Sequence, residues 1–236
     1  MKDHRAKHWN TRDLQALDIR TMDGRVGLYA SDKPLTTPAG LWVSHTTRDI
    51  ISAIQREAWL TGKLDVTDIN YFSLYATQYD LIAVSFPQLV VQLPHLLEAH
   101  DITLTHAPGP EHVDQLWAWR ALVQWLAAQQ CTLPNDDAAP DAHFIDVVTR
   151  ALHALHPAQQ TAVMTLYQNH RASLLLVLMV VLGQCTAEEY AEGIMIVLPH
   201  HPTFDMTQRK QYAKQLPLYM RDAQLACDYC TIMRRG

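Results

Sequence analysis

Hydrophobic and polar positions divide this chain into two textures. Up to about Asp80, short apolar runs alternate with turn formers. Asp23-Gly24 and Ser31-Asp32-Lys33 flank the run Val26 to Ala30, and Pro38-Ala39-Gly40 punctuates the chain before Leu41-Trp42-Val43. Turn residues placed between short runs in this way predict antiparallel strands. Inside the same stretch Ile51, Ile54 and Ala58 recur at helical spacing. Thr46 with Asp49 reads as a capping-box-like start and Gly62 as a left-handed stop, so one amphipathic helix is expected from Thr46 to Thr61.

Beyond Asp80 the alternating signal disappears and helical periodicities follow one another, separated by Pro-rich breaks. Pro108-Gly109-Pro110 precedes a stretch in which Leu116, Trp119, Val123 and Leu126 fall on one face of a single expected helix, closed by the polar segment Pro134 to Pro140. Phe144, Val147, Val148, Ala151, Leu152 and Leu155 form a broad apolar stripe, and Pro157 both stops that helix and can open the next at its first position. Ser173 to Leu182 is apolar on every side, which predicts the central helix of a bundle, capped at Gly183. Thr186 with Glu189 is a capping box that opens a helix carrying Tyr190, Ile194, Val197 and Leu198, closed by Pro199.

The fold class that follows is α+β: a small N-terminal β-rich domain with a helix, residues 1–84, then an all-α orthogonal helical bundle, residues 85–236. A length of 236 residues accommodates two such domains with ample core. The net charge of −5, with Lys and Arg scattered, offers no electrostatic footprint for nucleic acid or an anionic membrane. The longest apolar run, Leu174 to Leu182, has nine residues where a span needs roughly twenty, so no membrane insertion is expected. Met1-Lys2-Asp3-His4-Arg5 is followed by no hydrophobic stretch and reads as neither a secretory signal nor a transit peptide. A bacterial, cytoplasmic protein is expected, or a mitochondrial matrix protein only if a transit peptide has been removed. The four cysteines, at 131, 185, 227 and 230, do not form a disulfide-framework pattern, in keeping with a reducing compartment.

Candidate chemistry is sparse. Cys227 and Cys230 form a lone Cys-x-x-Cys on a terminal helix, without the second pair that a structural zinc site needs or the βαβ setting of a redox motif. His153 with His156, and His200-His201 with Asp205, could ligate a metal only if the fold added a third group. Ser173 has no Gly-x-Ser-x-Gly elbow around it, and Gly27, Gly40 and Gly183 are isolated turn or cap glycines rather than a phosphate cradle. No catalytic residue, metal site or cofactor is expected.

The segment Lys33-Pro34-Leu35-Thr36-Thr37-Pro38-Ala39-Gly40, the helix with Ala53-Ile54 and Trp59, and Asp65 with Asp80 fifteen positions on carry a resemblance. They resemble the assembly chaperone family that binds the unassembled α subunit of the F1 ATP synthase sector. In that family Thr-Thr-Pro-Ala-Gly precedes a helix with Ala-Ile-Ala and Glu-Trp. The match continues with His8-Trp9, His100-Asp101, Trp119 and Trp125, Arg171-Ala172-Ser173-Leu174 and Thr186-Ala187-Glu188-Glu189. It marks Thr37, Pro38, Trp59, Asp80, Asp101, Trp119, Ser173 and Glu189 as family-motif or partner-binding positions. Read as residues alone, Trp59 is a core or interdomain aromatic, Asp80 and Asp101 are helix caps or Arg partners, and Ser173 is an N-cap.

Three departures stand out. Arg120-Ala121 replaces the family's Asp-Pro, Ala58 stands where Glu is expected with Glu57 adjacent, and Val197-Leu198 replaces an acidic pair. The resemblance thus implies a divergent, non-enzymatic holding protein for the F1 α subunit, acting before the β subunit joins. Two alternatives remain open: an interaction module of the same fold with another client, and a metal- or thiol-dependent protein using Cys227 and Cys230.

Overall fold

A computed structural model describes residues 11–104, 111–134, 139–170, 173–196 and 214–235. The chain divides into two compact units, residues 1–85 with 228–236, and residues 86–227. The architecture is α+β, as the sequence patterning predicts: a small antiparallel sheet with helices, then a helical unit.

In the first unit, helix α1 (Thr11–Gln15) leads into strands β1 (Leu17–Met22), β2 (Arg25–Ala30), β3 (Lys33–Pro34) and β4 (Ser44–His45). β1 and β2 form a hairpin in register Leu17↔Ala30 through Met22↔Arg25. Its two-residue loop is Asp23-Gly24, both at positive φ, the tight turn that matches strand twist. β2 also pairs with β3 and β4. The expected third strand at Leu41 to Val43 reduces to an isolated bridge, Thr36↔Trp42, followed by β4. Gly27 cannot be larger here, because a Cβ on it would lie 2.2 Å from the Trp42 ring.

Helix α2 (Arg48–Thr61) buries Ile50, Ile51, Ile54 and Ala58 and ends at Gly62, which is left-handed at φ 66° and donates its N–H to Ala58 O. The start differs from the Thr46–Asp49 expectation. Thr47 is the N-cap, and its side chain caps nothing because its hydroxyl lies 2.9 Å from His45 Nδ1. Helix α3 (Tyr71–Asp80) opens with a reciprocal Asn70–Ser73 capping box and a further acceptor, Glu57, at the Tyr71 N–H. Near α3's midpoint, Tyr75 Oη donates to Ser44 O and accepts from Ser44 N, and burial pushes its phenol up to about 12.

Helix α4 (Ile82–Val91) carries Pro87 inside it, and α5 (Leu93–His100) has a proline in its first turn. The second unit continues with α6 (Glu111–Ala118), α7 (Arg120–Ala128), α8 (Ala142–His153), α9 (Pro157–His170), α10 (Leu174–Val181) and α11 (Ala187–Met195). The last helix, α12 (Leu216–Arg234), ends in the residues that belong to the first unit.

All eight residues of α10 are buried, and the helix packs against α7, α9 and α11. Burying such a helix contributes on the order of 15–25 kcal/mol gross. Gly183, at φ 72°, closes it. Pro157 opens α9, and Asp141 caps α8 through the Phe144 N–H, with Phe144, Val147, Val148 and Leu152 inside. The single helix expected through Leu116, Trp119, Val123 and Leu126 is instead two helices. The backbone turns out of helical geometry at Trp119 (ψ 17°), and Val123 lies partly in solvent. No helix among the described residues is long and apolar enough to cross a membrane.

Candidate partner-binding surface

Thr37 and Asp80 lie 43 positions apart in sequence and meet in the first unit. Thr37 Oγ1 donates to Asp80 Oδ1 at 2.7 Å, and the Ala39 N–H donates to Asp80 Oδ2 at 3.1 Å. The 37–41 loop that Asp80 grips is closed by its own backbone, Thr37 N to Leu41 O and Gly40 N to Thr37 O, with Gly40 at φ 90°. A carboxylate at the C-terminal end of α3 is unfavourable to the helix dipole, so its place is explained by the loop it holds. The clamp leaves Pro38 and Leu41 exposed, with Tyr79 and Leu81 on either side of Asp80 in sequence also exposed.

In the second unit Asp101 does a related job out of solvent. Its carboxylate accepts from Thr103 N and Oγ1, Ser173 Oγ, and the N–H groups of Leu174 and Leu175. Ser173, fully buried, also accepts from Leu176 N as the N-cap of α10. Asp101 thus satisfies two of the unpaired donors at the start of the central helix. Burial raises its pKa above the ordinary carboxylate range, while the hydrogen bonds from Thr103, Ser173 and Leu175 pull it down.

Trp119 has no exposed surface, and its indole N–H donates to Gly193 O at 3.0 Å. Gly193 fits this arrangement: a Cβ there would lie 3.4 Å from the Trp119 ring. Glu189 completes the predicted capping box with Thr186, and its other oxygen pairs with Arg120. The Arg120 guanidinium also donates to Trp117 O and lies 5.2 Å from the Trp117 ring centroid. Trp117 itself is 71% exposed.

Trp59 is not the core aromatic that its bulk suggests. It is 50% exposed, next to Leu60 at 80%, on the solvent face of α2. Ile51, Ile54 and Ala58 already occupy the inward face, and Trp59 follows Ala58 by one position, roughly a quarter turn away.

The marked positions fall in both units. The first holds the Thr37–Asp80 fastening with exposed Pro38 and Trp59; the second holds Asp101–Ser173, Trp119–Gly193 and Thr186–Glu189–Arg120, the last two adjoining because Arg120 follows Trp119 and Gly193 lies one turn beyond Glu189. Position-by-position reading of the sequence missed the Arg120–Trp117 pair, although their i, i+3 spacing is a usable signal. It also missed the buried cluster in which His170 Nδ1 lies 2.8 Å from Tyr190 Oη and His170 Nε2 lies 3.2 Å from Asp222 Oδ2.

Cys227 donates its thiol to Val180 O, and no disulfide forms among the described cysteines. Burial pushes the Cys185 thiol up to about 12, away from the thiolate that redox or metal chemistry uses. No group of three His, Cys, Asp or Glu side chains among the described residues is placed to hold a metal ion. His200-His201, Asp205, Val197-Leu198 and His8-Trp9 lie outside the described residues.

The sequence matches no model of a known protein family, and no curated protein sequence matches it. Solved structures do match. Two structures of Atp12 from Paracoccus denitrificans, one a point mutant, superpose with a TM-score of 0.69 at 19% identity, covering 91% of this chain and 95–96% of theirs. Atu1473 from Agrobacterium tumefaciens, a candidate chaperone, matches with a TM-score of 0.69 at 17% identity, over 91% of this chain and 84% of that one. The chain has the Atp12 fold, the fold that the sequence resemblance implies.

Proposed function

We propose that this chain is a non-enzymatic assembly chaperone that holds the unassembled α subunit of F1 ATP synthase until a β subunit takes its place. The observation that carries the proposal is the Atp12 fold over nine-tenths of the chain, together with the ordered motif match from His8 to Glu189. Its working parts would be an N-terminal domain to about residue 84 and a helical domain after it. A holding protein needs an exposed mixed surface that stands in for the client's missing neighbour and a polar rim that permits release. Exposed Trp59, Leu60 and Leu41 in one unit, and Val113 and Trp117 in the other, are surfaces of that kind. In this reading the protein works by binding alone, without cofactor, metal or nucleic acid, in the bacterial cytoplasm.

A second reading, a changed client on the same fold, is favoured by Arg120. It stands where the family carries Asp-Pro and is committed to an ion pair with Glu189. A pull-down from the native host with tagged protein, repeated with purified F1 α and β subunits, tests both readings. Selective recovery of α is expected. Failure of folded protein to bind α, with another protein recovered in its place, would establish the changed client.

A further inference from the structure

The exposed face of α6 combines two features that rarely coincide. Val113 and Trp117, four positions apart and therefore on one side of the helix, are 66% and 71% exposed. Large apolar side chains grouped in solvent mark interaction surfaces more often than scattered ones do, and Trp is among the residues that dominate binding energies. Trp117 is also held in place: Arg120 bonds its carbonyl, lies over its ring, and is anchored in turn by Glu189 of α11. Holding an aromatic side chain before the partner arrives reduces the entropy lost on binding.

The second feature is charge. α11 packs beside α6 and presents Glu188 and Glu192 to solvent four positions apart, while α6 adds exposed Asp114. None of these three carboxylates pairs with a cation among the described residues. Across residues 86–227 the sequence carries thirteen acidic and seven basic side chains, a net charge of −6, so the field around this face is negative. We infer that the α6–α11 face docks a cationic, apolar segment of a partner protein, with an apolar side chain against Trp117 and Val113 and Lys or Arg residues against Glu188, Glu192 and Asp114.

This inference rests on the holding role proposed above and adds to it the surface and the chemistry of the client segment. The test uses the full chain and a labelled amphipathic peptide of alternating Lys and Leu blocks, with a Glu/Leu peptide as control, followed by fluorescence anisotropy. The Lys/Leu peptide should bind, weaken as salt rises, and bind about tenfold or more weakly to Trp117→Ala and to the double variant Glu188→Lys/Glu192→Lys. Because the substituted side chains are exposed, both variants should melt like the parent. No binding by the parent chain, or equal binding by parent and variants, overturns the inference. A parallel titration with purified F1 α separates the two proposals. If α binds the parent and both variants equally, the surface is wrong and the client stands. If the peptide result holds and α does not bind, the surface stands and the client is wrong.

Discussion

Asp80 and Asp101 are the same device in two settings. Each is a carboxylate that bonds a hydroxyl and at least one backbone N–H brought from elsewhere in the chain. Asp101 gathers five donors in a site closed to water and founds the central helix α10. Asp80 takes two donors at the surface and fixes a loop whose Pro38 and Leu41 face solvent. The buried carboxylate serves stability, because its orphaned donors would have no water to turn to. The surface carboxylate serves presentation, because water could replace much of what it supplies. A shared motif thus marks two positions without giving them one role.

Substitutions can break that contrast, and the largest effects belong to the buried side. Trp119→Ala should cost about 3–5 kcal/mol by leaving a cavity and removing the hydrogen bond to the Gly193 carbonyl, measured by urea unfolding. A loss under about 1 kcal/mol would show that the indole is dispensable to the core. Asp101→Ala should cost about 2–4 kcal/mol, since five donors lose one acceptor. Thr37→Val, at the clamp of half-buried Asp80, should cost about 1–2 kcal/mol, since the buried Thr37 hydroxyl serves both Asp80 and the Leu41 N–H, and should alter the loop, visible as faster amide exchange at Ala39. Unchanged exchange there would mean that the clamp is not what holds the loop. Trp59→Arg should shift stability by no more than about 0.5 kcal/mol, because the ring is half in water. A large loss would restore Trp59 to the core.

The smallest effect is a pH dependence at His45. Burial first, and then the nearby Arg25 charge, lower its pKa below the ordinary value of about 6.5. The fold therefore favours the neutral ring. That contribution is full above about pH 6.5 and is lost as pH falls through the lowered value. His45→Gln should make the melting temperature change less between pH 7 and pH 5, and an identical slope in both proteins would remove His45 from the acid response.

The elements that could be read from sequence are those set by local chemistry. Asp23-Gly24 needs no distant partner to turn a hairpin, Gly183 none to end α10, and Thr186 with Glu189 none to cap α11. Misreadings came where a distant contact overrides the local pattern. The stripe Leu116, Trp119, Val123, Leu126 looks like one helix, but the indole of Trp119 is bonded to Gly193, 74 positions away, and the helix breaks beside it. The start of α2 moves to Thr47 because His45 comes from a strand placed by β2. The family motif located residues that matter to the fold, yet the fastening of Thr37 by Asp80, or of Asp101 by Ser173, depends on tertiary placement that no spacing along the chain contains. Trp59 was misread for a simpler reason: bulk argues for burial, but helical phase decides it.

One contact in the first unit carries a consequence for the order of events at the ribosome. Tyr229, buried, donates its hydroxyl to Gln78, and both belong to the unit built from residues 1–85 and 228–236. Residues 86–227 are translated between those two pieces, roughly 7 to 30 s of synthesis at ordinary elongation rates. The helical unit therefore has its whole sequence available before the sheet-bearing unit receives Tyr229. The part of the protein made first is the part finished later, and until then Gln78 waits for its partner on a nascent chain.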